Sequence, residues 1–436
     1  MINGVVAIVG SPNVGKSTLF NRIIGERQAI VHDEAGITRD RLYAKASWLT
    51  KEFRIIDTGG IELTDSPFQT QIRAQVESAV EEADVIIFMA DAQLGVTKED
   101  RQIAKMLHQT NKPVVLAVNK ADNEAFRLSA MEFYELGFEH VIPIAVTHGV
   151  GTGDILDFVV QNLPGDARKQ HNEEAICFSV IGRPNVGKSS LVNAILNEDR
   201  VIVSPISGTT RDAIDTPFRK NEQDYVVIDT AGLVKRGRIY ESVDKYAALR
   251  ALSAIDRSDI VLLMLDASEG IIAQDKHVVG YAMDANKPII IVVNKWDLVK
   301  KQTNTMSDFT KLIRKEFKFL DYAPIVYVSA LENKRIQTIF DELLVVNDAY
   351  NLRIGTSVLN EIIHDAQIIN PPPHFNKGRI RIYYANQVSA KPPTFVLFCN
   401  NPQFMHFSYQ RFLENRLRES FPLDGTPIKI ILRMRT

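Results

Sequence analysis

A doubly wound, mostly parallel α/β layer, written twice in tandem and followed by a small α+β domain, is the fold class this sequence predicts. Three observations carry the prediction. The segment Gly10-Ser11-Pro12-Asn13-Val14-Gly15-Lys16-Ser17-Thr18 returns as Gly182-Arg183-Pro184-Asn185-Val186-Gly187-Lys188-Ser189-Ser190. The spacing holds far beyond these loops, since Gly10 and Gly182 lie 172 positions apart and so do Asp57 and Asp229. The runs preceding each glycine loop are continuously apolar and β-branched rather than alternating, which marks strands covered on both faces.

In the first copy, strand-like runs at 5–9, 53–56, 85–90 and 114–118 alternate with helix-length periodic stretches at 17–24, 69–82 and 98–109. The second copy repeats the strands at 178–181, 225–228, 260–265 and 289–293. Asn119 and Asn294 are 175 apart, so three residues are inserted between the motifs, and the loop at 234–239 is the expected place. A period this long indicates duplication of a whole domain and not a solenoid. The polar stretch 164–174 reads as a linker. Beyond residue 350 the pattern changes to helix at 357–369, strands at 379–385 and 394–399, helix at 409–420 and a last strand at 428–434, with prolines at 371–373 and 392–393 bounding the first two strands. The expected domains are therefore residues 1–163, 175–350 and 351–436.

Composition bounds the function. With 436 residues, 45% hydrophobic and 24% charged, the chain reads as a soluble protein of two to four domains. Its N-terminus runs straight into a strand and a glycine loop, with no leader pattern. No apolar run approaches the roughly 20 residues a membrane-spanning helix needs. Cys177 and Cys399 sit in strand-like segments, which suits buried thiols in a reducing compartment. The formal net charge of −2 hides a gradient: from Tyr350 onward 11 Lys and Arg face 5 Asp and Glu. That basic end suits a polyanionic partner, an ordinary solvated face or docking onto the acidic domains.

The motifs specify chemistry. A glycine-rich turn between strand and helix points backbone N–H groups inward and makes a nest for polyphosphate. Lys16 and Lys188 reach the β- and γ-phosphates, while the hydroxyls of Ser17 and Ser189 ligate Mg²⁺. Asp57 and Asp229 end apolar strands, where a carboxylate binds Mg²⁺ through water. They open Asp57-Thr58-Gly59-Gly60 and Asp229-Thr230-Ala231-Gly232, whose last glycines leave room for an N–H beside the γ-phosphate. Asn119-Lys120-Ala121-Asp122 and Asn294-Lys295-Trp296-Asp297 follow other strands, on the edge where such sheets bind ligands. A carboxylate there accepts from guanine N1–H and the 2-amino group, a donor pair adenine lacks, so GTP is chosen over ATP. Thr38 and Thr210, in Gly-x-Thr-Arg-Asp segments, join the Mg²⁺ shell when a γ-phosphate is present and close their loops as switches.

Phosphate loop, switch threonine, Asp-Thr-x-Gly and Asn-Lys-x-Asp in this order resemble a translation-factor-type GTPase. Two of them before a small basic domain resemble the EngA/Der family over almost the whole chain. The tail matches too, in Arg381-Ile-Tyr-Tyr-Ala-Asn-Gln387, Pro392-Pro-Thr-Phe-Val-Leu-Phe398, Ser408-Tyr-Gln-Arg-Phe-Leu-Glu-Asn415 and Gly425-Thr-Pro427. The resemblance implies two P-loop GTPase domains and a KH-like third domain. It further implies GTP hydrolysis coupled to assembly of the large ribosomal subunit, in contact with its rRNA, by a monomer in the bacterial cytoplasm.

Hydrolysis needs a water in line with the γ-phosphate, and many small GTPases place it with a glutamine after the Asp-x-x-Gly glycine. Here Ile61 and Leu233 hold those positions, and neither orients water. Catalysis then rests on Lys16, Thr38 and Gly60, with Lys188, Thr210 and Gly232 in the second copy, and on Mg²⁺ and a further cation. Asn13 and Asn185 match the asparagine that related GTPases use to hold K⁺, so K⁺ stimulation is expected. The loop that reads Ser329-Ala330 in the second copy reads Ala145-Val146 in the first, which forfeits a buttressing hydroxyl and predicts weaker binding there. The tail has glycines only at 355, 378 and 425, so the Gly-x-x-Gly loop of RNA-binding KH modules is missing, and packing on the G domains is the competing role. Lys235-Arg236-Gly-Arg238 has no counterpart at 62–65 and suits signalling of the nucleotide state. A scaffold in which one copy binds nucleotide without turnover is the alternative function.

Overall fold

The computed structural model describes residues 2–25, 43–49, 51–57, 77, 83–164, 174–197, 201–203, 215–229, 244–300 and 302–435. The chain divides into two compact units, Met1–Glu173 with Ser242–Ser253, and Glu174–Glu241 with Ala254–Thr436.

In chain order the first unit holds β1 (Ile2–Gly10), α1 (Lys16–Gly25), β2 (Tyr43–Trp48), β3 (Lys51–Asp57), β4 (Val85–Asp91), α2 (Lys98–Leu107), β5 (Val114–Asn119), α3 (Glu124–Ser129), β6 (Val141–Pro143) and α4 (Thr152–Asn162). The strands form a sheet of order β2-β3-β1-β4-β5-β6, parallel throughout except for the β2–β3 hairpin at its edge. Because successive strand side chains point to opposite faces, one apolar run feeds two cores. Val6 and Ile8 of β1 pack with Leu19, Phe53 and Ile155 on one face, while Ala7 and Val9 pack with Phe88, Ile103 and Phe133 on the other. Strand order reverses beside β1, between β3 and β4, so the crevice for a ligand opens where β1 ends.

The second unit repeats this plan with β7 (Ile176–Ile181), α5 (Lys188–Leu196), β8 (Ile202–Val203), β9 (Thr216–Lys220), β10 (Gln223–Ile228), α6 (Asp244–Arg257, divided between the units at Ser253), β11 (Ile260–Asp266), α7 (Ala273–Asp284), β12 (Ile289–Asn294), α8 (Thr305–Glu316), β13 (Ile325–Tyr327) and α9 (Gln337–Asn351). Its sheet runs β13-β12-β11-β7-β10-β9-β8. The offset between copies is already 175 at Val85 and Ile260, which brackets the insertion between residues 229 and 260.

The same unit carries the tail: α10 (Thr356–Ile369), β14 (His374–Phe375), β15 (Gly378–Arg379), β16 (Ile382–Ser389), β17 (Thr394–Cys399), α11 (Phe407–Ser420) and β18 (Lys429–Met434). β16 pairs antiparallel and β18 parallel with β17, and Leu359, Ile363, Phe395, Leu397, Leu413 and Leu417 form the core between helices and sheet. The strand expected at 379–385 is broken. Asn400 Oδ1 accepts the Arg381 N–H and its Nδ2 donates to Arg379 O, so a side chain replaces a ladder partner before β16 begins. The tail is fastened to the second α/β domain: the Ile289 N–H donates to Gly425 O, the Gly425 N–H to Tyr322 O, both at 2.9 Å, and the Arg418 guanidinium lies 4.3 Å from the Tyr322 ring centroid. Of the expected helix at 69–82 only Glu77 is described, as helical, and 165–173 of the expected linker lie outside the described residues.

Candidate nucleotide-binding sites

At the first site β1 delivers Gly10 and the loop re-enters helix at Lys16. Both glycines are required sterically. A Cβ on Gly10 would lie 2.3 Å from Met89 O, and one on Gly15, whose φ is +100°, would lie 2.4 Å from Asn119 Nδ2. Lys16 Nζ donates to Gly10 O and Ser11 O, both at 2.8 Å, so the ammonium lies across the mouth of the loop. Burial pushes this ammonium below the usual lysine value, with Asp57 acting against the shift. Asp57 itself is 3% exposed at the end of β3.

The motif expected to recognise the base, Asn119 to Asp122, extends from the end of β5. Asn119 does not reach outward: its Nδ2 donates to Val14 O (2.8 Å) and its Oδ1 accepts the Val146 N–H (3.1 Å). The asparagine thus ties the phosphate loop to the loop at 145–150. Lys120, at φ +63°, pairs with Asp91 at 2.5 Å. Asp122 stays partly exposed, with His148 Nε2 at 3.9 Å. Ala121 and Val146 are buried, while Pro12 and Thr18 are exposed.

The second site reproduces the framework atom for atom. Lys188 Nζ donates to Gly182 O and Arg183 O, both at 2.7 Å. Asn294 Nδ2 donates to Val186 O (2.8 Å) and its Oδ1 accepts the Ala330 N–H (3.0 Å). A Cβ on Gly187 would meet Asn294 Nδ2 at 2.3 Å. Lys295, at φ +58°, pairs with Asp266 at 2.6 Å. Burial raises the Asp266 pKa, but its bonds to Lys295 and Ser268 outweigh that and hold it below the usual value. Trp296 is buried against Tyr327, 4.5 Å between ring centroids. Beside it, Asp297 Oδ1 is buried with no hydrogen-bond partner. Ser329 Oγ accepts the Glu332 N–H at 3.2 Å.

Of the residues expected to serve the phosphates and magnesium, Ser17, Asp57, Ser189 and Asp229 are described. Ser17 is exposed beside the buried Lys16, and Asp229, at φ +61°, donates its N–H to Asp215 Oδ1 at 3.1 Å. Asn13 and Asn185 are both exposed and adopt left-handed backbone, at φ +64° and +65°. Thr38, Thr58, Gly59, Gly60, Ile61, Thr210, Thr230, Ala231, Gly232, Leu233 and the basic cluster at 235–238 lie outside the described residues.

The structure adds residues the motifs omit. Asp91 and Asp266 hold the motif lysines, and Asp100 and Asp275 receive the second loop residue, Ser11 and Arg183 respectively. Both pairs recur at the offset of 175, so the duplication itself carried the signal. Arg22, which donates to Val146 O, has no counterpart in the second copy and left no such trace.

The donor set fits a magnesium-bound guanosine triphosphate: a glycine cradle that a Cβ would fill, a lysine across its mouth, and a buried carboxylate oxygen awaiting a donor at the base edge. Comparison with known proteins agrees. A family described as 50S ribosome-binding GTPase matches residues 5–120 and 177–295, and the KH-domain-like C-terminal family of EngA bacterial GTPase enzymes matches 353–433. GTPase Der of Bacillus cytotoxicus is 58% identical over 431 residues, covering 99% of each chain, and GTPase Der of Bacillus cereus is equally similar. Among solved structures, Era of Aquifex aeolicus bound to GDP·AlF4− covers 60% of this chain and 93% of its own at 22% identity and a TM-score of 0.31, a likeness too loose to bear on function. The chain belongs to the EngA/Der family of tandem-domain GTPases and is a GTP-hydrolysing enzyme.

Proposed function

We propose that the chain is a GTP-driven switch of ribosome biogenesis, acting as a cytoplasmic monomer on the large ribosomal subunit and its rRNA, with both G domains turning over. One observation carries the nucleotide choice: the buried, unpartnered Asp297 Oδ1 stands in the turn that follows β12, the strand whose last residue, Asn294, is tied to the phosphate loop. A buried acceptor without a donor is costly, and the N1–H and 2-amino pair of guanine supplies one. Lys16 and Lys188 orient the β- and γ-phosphates by exchanging loop carbonyls for phosphate oxygens. Ser17, Thr38 and Asp57, with Ser189, Thr210 and Asp229, would hold magnesium, which neutralises charge on the phosphate oxygens. Asn13 and Asn185 would hold potassium beside them. No helix among the described residues is long and apolar enough to cross a membrane.

The ribosomal part of the proposal rests on the 50S-binding family matched by both G domains and on the basic tail. The tail acts by docking on the second G domain, in keeping with its lack of a Gly-x-x-Gly loop.

Three experiments test the reading. Steady-state hydrolysis is expected to be faster in K⁺ than in Na⁺; equal rates would remove the potassium role. Sedimentation with large ribosomal subunits should show association that depends on whether GDP or a non-hydrolysable GTP analogue is bound. Single-turnover assays of Lys16→Ala and Lys188→Ala should each leave one active site; activity abolished by one variant and untouched by the other would favour the scaffold alternative.

A further inference from the structure

The loops that carry the second base contact are braced by different side chains in the two G domains. In the second, the Ser329 hydroxyl accepts the Glu332 N–H and closes the turn from within. Ala145 occupies that position in the first and has no hydroxyl to offer. The first loop is instead gripped from outside. Arg22, in the last turn of α1, donates Nη1 to Val146 O at 2.9 Å and to Thr147 O at 3.3 Å. Gly149 makes room for it: at φ +75°, a Cβ there would lie 2.1 Å from Arg22 Nη2.

The corresponding positions of the second domain exclude this arrangement. Ala194 stands 172 residues after Arg22 and packs against the apolar core, with no donor. Asn333, which matches Gly149 when the loops are aligned on Ala145 and Ser329, carries a side chain where Gly149 has none. Each domain therefore holds one complete device, arginine with alanine and glycine, or serine with alanine and asparagine.

We propose that Arg22 is the positioning residue for guanine recognition at the first site, replacing with a guanidinium the brace that Ser329 supplies at the second. Charged donors make the stronger hydrogen bonds, and two carbonyls gripped by one planar group fix the loop's orientation as well as its distance. Helix α1 begins at Lys16, so Arg22 also joins the element that meets the phosphates to the loop that meets the base. The weaker first site expected from the missing serine is thereby offset. The inference rests on reading residues 145–147 as the base-recognition loop.

The test uses the full chain carrying Lys188→Ala, which confines binding to the first site, with fluorescent GDP titrated directly and ADP as competitor. Arg22→Ala is expected to raise the Kd for GDP and the KM for GTP about tenfold, with kcat at saturation within about twofold and ADP affinity unchanged. Adding Ala145→Ser to Arg22→Ala should recover most of the loss. Should thermal unfolding show that Arg22→Ala does not fold, Arg22→Gln, which keeps the packed stem, takes its place with the same expectations. Asp122→Asn in the same background separates the two layers of argument: if it leaves GDP affinity intact, the reading of the site is wrong. If Asp122→Asn weakens GDP binding but the Arg22 variant does not, the role of Arg22 is overturned. A loss that falls equally on GDP, ADP and kcat, unrelieved by Ala145→Ser, overturns it as well.

Discussion

In the first G domain the residue after the opening glycine is Ser11, whose hydroxyl donates to Asp100 Oδ1 at 3.1 Å. In the second it is Arg183, whose guanidinium, 7% exposed, pairs with Glu269 at 2.6 Å and lies 3.4 Å from Asp275. The acceptor is the same in both. Asp100 and Asp275 are buried at the N-termini of α2 and α7, where each accepts a backbone N–H, from Thr97 at 3.1 Å and from Ile272 at 3.0 Å. Burial pushes the Asp275 carboxyl above the usual range against the pull of Arg183. Duplication has kept the lysine and asparagine contacts of the phosphate loops and the carboxylate that needs a partner, while the partner itself has diverged. Supports of a site are replaceable whenever another donor reaches the same acceptor.

If the conserved framework is what makes both sites work, breaking it should be equally severe in each. Gly15→Ala and Gly187→Ala force a Cβ to within 2.4 and 2.3 Å of the asparagine that links phosphate loop to base loop, at φ +100° and +98°. Each is expected to cost about 3 kcal/mol of nucleotide affinity, roughly a hundredfold, at its own site. Calorimetric stoichiometry should fall from two GDP per chain to one in either variant; retention of both sites would mean the link is dispensable.

The base-reading aspartates come next. Asp122→Asn and Asp297→Asn should each lower guanine nucleotide affinity at one site by about 2 kcal/mol, because an amide cannot accept both donors of the base. Unchanged GTP over ATP preference at the mutated site would refute the assignment. The diverged support should matter less. Arg183→Ser copies the first domain's choice into the second and leaves Asp275 with a hydroxyl in place of a cation. A loss of about 1–2 kcal/mol in urea unfolding of the second domain is expected, short of what removal of a buried partner outright would cost. A larger loss would show that the two arrangements are not interchangeable.

The comparison also explains how much could be read from residues alone. Continuous apolar runs gave both sheets, and fixed offsets gave the phosphate loops, because strands, tight turns and helix starts are set by neighbours in sequence. The same offsets carry Asp91 with Asp266 and Asp100 with Asp275, which the motifs do not mention. What stayed hidden are pairings between distant segments with no repeat to expose them. Asn400 interrupts the strand before Ile382 by binding backbone some twenty residues away, Arg22 grips a loop in another part of its domain, and Arg418 stacks on Tyr322 across a domain boundary. The antiparallel edge strand β2 was missed because Tyr43-Ala-Lys-Ala-Ser-Trp48 mixes small and charged residues in a position that only a hairpin partner defines.

Only the second domain bears the tail, and that asymmetry yields the smallest expected effect. Arg418 Nη1 and Nη2 donate to Leu423 O and Thr426 O, both at 2.8 Å, and so shape the turn whose Gly425 binds Ile289 and Tyr322. Burial lowers the Arg418 pKa, while burial of the phenol beneath it pushes Tyr322 up to about 12. Ile289 opens β12 and Asn294 closes it, so the tail grips one end of the strand that presents the base-recognition motif at the other. Arg418→Lys keeps the charge but not the planar two-carbonyl grip, at a cost of about 1 kcal/mol to the docking of the tail. Loosening that end of β12 should change GDP affinity at the second site by about twofold to threefold, roughly half that free energy, and leave the first site untouched. Equal changes at both sites, or an unchanged second site while the tail's amides lose protection from hydrogen exchange, would mean that the strand does not couple the docked tail to the motif at its other end.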